Sequence, residues 1–72
     1  MVEIFKTNVN NKKLAGTLLK ELHASFPCYC FNFDLDDCDR ILRVQSEDIS
    51  IELTKIIQIV KAHSIEVSLL EE

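Results

Sequence analysis

The sequence predicts an α+β fold in which two helices cover one face of a four-stranded antiparallel sheet, and three observations point to it. Between Cys28 and Val44 an alternating run, Cys-Tyr-Cys-Phe-Asn-Phe-Asp-Leu, meets a second, Arg-Ile-Leu-Arg-Val, across the turn-forming stretch Asp-Asp-Cys-Asp, which is the pattern of a β-hairpin. On either side lie segments whose leucines and isoleucines recur at helical spacing. Short stretches rich in β-forming residues stand at the two ends.

Taken in order, Val2 to Thr7 reads as a strand with Val2 and Ile4 on one side and Phe5 and Thr7 on the other. Both sides are partly apolar, so this strand belongs inside a sheet. Asn8, Asn10 and Asn11 make a turn, and either Asn10 or Asn11 can cap the helix that follows. In that helix Leu14, Leu18 and Leu22, with Ala15 and Leu19, form the buried stripe, while Lys12, Lys13, Lys20 and Glu21 face water. His23 falls in its last turn, where a cation suits the helix dipole, and Pro27 ends it.

In the hairpin, Tyr29, Phe31, Phe33 and Leu35 share a side that Leu42 and Val44 continue. A lone hairpin is unstable in water, so the helices must cover that side. Gln45 to Asp48 is polar, and Ser50 can cap a second helix whose first turn carries Glu52. Leu53, Ile56, Ile57 and Val60 line its buried face, with Ile59 at the margin and Lys55 and Lys61 outside. It should end near His63 and Ser64, after which Ile65, Val67 and Leu69 alternate as a last strand, with Glu71 and Glu72 in water. The order βαββαβ is that of the ferredoxin-like plan; right-handed crossovers set the strand order 4-1-3-2, with both helices on one face.

With 72 residues the chain holds one domain, residues 1–72, and folding hides only roughly 60% of the unfolded surface. Hydrophobic residues make up 47% and charged ones 28%, which excludes a disordered or linker-like chain. A net charge of −4 offers no basic field for phosphates, so nucleic acid and anionic membranes are not expected partners. No apolar run approaches the ~20 residues of a membrane span, and no signal peptide opens the chain, which places it in the cytoplasm. The odd set Cys28, Cys30 and Cys38 is a poor disulfide framework and fits free thiols in a reducing compartment.

Candidate chemistry is sparse. His23 and His63, at the ends of antiparallel helices, fall roughly 20 Å apart and share no metal. Cys38 at the hairpin tip is about 20 Å along the strand from Cys30. At the end of the domain where the loop Asn8 to Asn11, the tip Leu35 to Asp39 and the connection His63 to Ser64 emerge, Asp36, Asp37, Asp39, Cys38 and His63 have the donor chemistry for a cation. Acids in a tight turn equally serve their own backbone. The run Asp34, Asp36, Cys38 lacks the Gly and the distant Glu of a calcium loop. Nothing beside Cys28 and Cys30 in sequence lowers a thiol pKa, so they read as small apolar filler. No nucleophile, base and orienting acid recur at a recognisable spacing, and no Gly-rich phosphate loop is present. The expectation is a protein that is not an enzyme and holds no cofactor.

The strand-loop-helix opening, the Phe-Asp-Leu and Arg-Ile-Leu-Arg-Val hairpin, and the helix ending Ile-Val-Lys-Ala-His-Ser-Ile together resemble the heavy-metal-associated domain family over nearly the whole chain. In that family a Met-x-Cys-x-x-Cys loop after the first strand holds a soft metal. The same register here puts Val9 at the Met, Asn11 at the first Cys and Leu14 at the second. An amide and an alkyl group cannot replace two thiolates, so the resemblance implies the fold and argues against metal delivery. Ser64 replaces the Gly found before the family's last strand.

The function expected is therefore a non-catalytic interaction module that self-associates, as a homodimer, or binds a protein partner through the sheet face no helix covers. Cys28, Cys30 and Ile41 align on that face, joined by either Val2 and Ile4 or Phe5. The alternative is soft-metal or thiol-redox chemistry at Cys28 with Cys30, within or across chains, or at Cys38 with His63.

Overall fold

Asn11 opens the first helix: its side-chain oxygen accepts the backbone N–H of Leu14 at 2.7 Å, which satisfies one of the free donors of the first turn. The computed structural model describes residues 1–36, 38–47 and 50–70; Asp37, Asp48, Ile49, Glu71 and Glu72 lie outside the described residues. The elements are β1 (Val2–Thr7), α1 (Lys12–Ser25), β2 (Cys30–Asp34), β3 (Ile41–Gln45), α2 (Leu53–Lys61) and β4 (Val67–Leu69). They form the ferredoxin-like βαββαβ fold, with an antiparallel sheet in the order β2-β3-β1-β4. That is the order the crossover rule requires.

Register decides which residues meet the helices. Phe31 stands opposite Val44 and Phe33 opposite Leu42 across β2 and β3, and Phe5 stands opposite Leu42 and Leu69 across β1. Phe5, Leu42 and Val44 are fully buried, as are Leu18 and Leu22 from α1 and Ile56 and Val60 from α2. All seven belong to one cluster, so both helices lie on the same face. Each such side chain contributes about 1.5–3 kcal/mol by leaving water.

The second helix starts later than the Ser50 cap would have it. Its first residue is Leu53, and Glu52 stands at the cap position without a side-chain cap bond. Ile51 is buried and the Leu53 N–H bonds to the Ile51 carbonyl at 3.0 Å. Docking Ile51 into the core therefore draws residues 50–52 out of helical geometry. The last strand is likewise shorter than the alternation suggests, because Ser64 adopts φ 61°, a left-handed conformation that ends the turn following α2 and delays strand pairing. The hairpin tip is tied to β1 by Thr7, whose N–H donates to the Asp39 carbonyl at 3.1 Å and whose hydroxyl donates to the Arg40 carbonyl at 2.6 Å.

Candidate functional site

The face opposite the helices is set out by the same register. Across its three rows, from β2 through β3 to β1, stand Cys30, Gln45 and Val2, then Asn32, Arg43 and Ile4, then Asp34, Ile41 and Lys6. β4 extends the second and third rows, with Ser68 opposite Lys6 and the Leu70 N–H donating to the Ile4 carbonyl at 2.8 Å. The choice left open by the sequence is settled: Phe5 points into the core, and Val2 with Ile4 stays on the uncovered side.

Exposure along this face is uneven. Val2 is 50% exposed and Leu70 37%; with Met1 they are the large apolar residues left exposed among the described residues. Ile4 between them is half-buried. Apolar surface is thus gathered on β1 and the end of β4. Ile41, expected to extend it, is only 6% exposed and stands apart from the main apolar cluster. Lys6 and Arg43 flank it on the same face, and long aliphatic stems cover such a neighbour while their charges stay in water. Cys28 and Cys30 are both exposed, so they act neither as buried filler nor as core.

The positions that the resemblance would set against a metal loop are occupied otherwise. Val9 is fully buried, Leu14 packs against the core, and the Asn11 amide caps α1. At the other candidate, Cys38 is exposed, while the His63 Nε2 meets the Glu21 carboxylate on α1. Asp39 pairs with Lys6 at 3.5 Å, and an Asp34 oxygen accepts the Asp36 N–H at 3.2 Å; these acids serve the turn. Asp37, named with them, lies outside the described residues. Among the described residues no group of three His, Cys, Asp or Glu side chains is arranged to hold a metal ion. His23 places its ring edge-on to Phe31, with centroids 5.3 Å apart.

A role that the sequence did not disclose belongs to Tyr29. Its hydroxyl donates to the Ser50 carbonyl and accepts the Glu52 N–H, so a residue of the hairpin caps α2. The sequence signal was the lone Tyr among phenylalanines, because a buried phenol needs a partner. No helix among the described residues is long and apolar enough to cross a membrane. Comparison with protein-family models, with curated proteins and with solved structures gives no match.

Proposed function

We propose that the chain is a non-catalytic interaction module that works through its uncovered sheet face, self-associating or binding a partner protein there. The observation that carries this reading is the placement of Val2 on β1 and Leu70 just past the end of β4, both exposed and both next to Ile4, with no element among the described residues laid over them. Contiguous exposed apolar residues on a small domain mark an interface more often than chance. The resemblance to the heavy-metal-associated domain family supports the same conclusion from the other direction, since its ligand positions here hold core and cap residues. A net charge of −4 argues for protein rather than nucleic acid as the partner, and exposed free thiols suit the cytoplasm.

The test compares the wild type with a Val2→Lys, Leu70→Lys double variant, both positions being exposed enough to accept charge without unfolding. Sedimentation and capture with the purified protein as bait should show a copy or partner held by the wild type and released by the variant. Equal behaviour of the two proteins sinks the proposal. The exposure of both Cys28 and Cys30 favours a second reading, in which the thiols take a soft metal. Titration with zinc or copper(I) decides it: stoichiometric binding lost in a Cys28→Ala, Cys30→Ala variant supports it, and no binding removes it.

A further inference from the structure

Among the described residues β2 pairs only with β3, so its other edge is free. Five residues long, with no Pro and no Lys and a single charged residue, Asp34, at its end, that edge has few of the devices by which sheet proteins discourage edge-to-edge pairing. A cleft runs beside it, between β2 and α1, lined by Lys12, Gly16, Leu19, Phe33, Leu35 and Asp36 among others. Gly16 lies in the interior of α1, where glycine is a poor helix former. A Cβ built on it would meet nothing within 4 Å. No packing within the domain accounts for this glycine; the space it leaves is on the outside, along the free edge.

We propose that this edge pairs with the β2 edge of a second copy about a two-fold axis, joining two sheets into one of eight strands with four helices on one face. An antiparallel pairing centred on Asn32 sets Phe31 against the partner's Phe33 and Asp34 against the partner's Cys30, so no acid faces an acid. The phenylalanines fall on the helix-covered side, where Leu19 is half-buried at the rim and Gly16 leaves room for the second α1. In this register Asp34, the one charged residue of β2, meets a neutral cysteine at each end, and that self-matching strand favours a second copy over an unrelated peptide. The Val2 and Leu70 surface stays free, and pairing presents two such surfaces side by side.

The experiment is sedimentation velocity over a wide concentration series, with amide hydrogen exchange read at low and high concentration, on the wild type, Gly16→Gln and Thr54→Gln, the last at an exposed position on α2. A dimer is expected, with exchange slowing at β2 as concentration rises. Gly16→Gln should weaken dimerisation by about tenfold or more without lowering the melting temperature of the dilute, monomeric protein, because its side chain enters only the cleft. Thr54→Gln should leave the dimer unchanged. A wild type that stays monomeric throughout, a Gly16→Gln protein that dimerises as tightly as the wild type, or protection appearing at β1 and β4 instead of β2 each overturns the proposal; the last would return self-association to the uncovered face.

Discussion

The hydroxyl of Tyr29 lies 3.2 Å from the backbone nitrogen of Glu52, accepting its N–H, while donating to the Ser50 carbonyl at 2.9 Å. One side chain from the hairpin thus does the work that Ser50 would do as a local cap. The Tyr29 ring, buried and stacked on Phe26 with centroids 5.1 Å apart, holds the hydroxyl in place. Helix α2 is only nine residues long, too short to be stable on propensity alone, so this tertiary cap matters to it.

Tyr29→Phe keeps the ring and removes the cap. The variant should lose about 1–2 kcal/mol of stability, which for a domain of this size lowers the melting temperature by roughly 4–8 °C per kcal/mol. Urea unfolding measures the loss, and hydrogen exchange at Glu52 should quicken more than at the centre of β1. A wild-type urea midpoint would mean that water replaces the phenol without cost.

Which parts of this architecture are legible in the sequence follows from how far apart the deciding residues lie. The β1 strand, the Asn11 cap and the leucine face of α1 depend on neighbours within a few residues, and each is found where its local pattern puts it. The start of α2 depends on Tyr29, more than twenty residues earlier, and on the burial of Ile51; Ser50 alone points to a different boundary. The site follows the same rule. Period-two alternation identifies Val2 and Ile4 as a pair, yet whether they or Phe5 face the helices depends on the pairing of β1 with β3 and β4. The burial of Ile41 likewise depends on what flanks it across the sheet, with Lys6 on the neighbouring strand beside Arg43 on its own, and the residues around Ile41 alone do not reveal it.

The cap at Asn11 bears on what its side chain is free to bind as well as on stability. Its side-chain oxygen is committed to the Leu14 N–H, and the apolar residues two before and three after it, Val9 and Leu14, pack in or against the core. Asn11→Ala should cost about 1 kcal/mol, whereas Asn11→Asp should retain the cap and gain from the helix dipole. Thermal unfolding of the two variants checks this. If alanine and aspartate behave alike, the bond contributes nothing and the residue is free for another role.

Ser64 offers a test with the opposite sign. At φ 61° a residue with a Cβ crowds its own carbonyl, at a cost on the order of 1–2 kcal/mol, and only glycine adopts this geometry freely. Ser64 is exposed and its N–H bonds to the Lys61 carbonyl at 2.9 Å, a backbone contact that substitution preserves. Ser64→Gly should therefore stabilise the fold, by about 0.5–1 kcal/mol once the greater freedom of glycine in the unfolded chain is set against the relief of strain. Ser64→Val, with a branched Cβ at the same angle, should destabilise by more than that. Chemical unfolding of the pair gives the sign directly: if the valine variant proves as stable as the glycine one, the turn relaxes to a negative φ, and the delay of β4 until Val67 needs another cause.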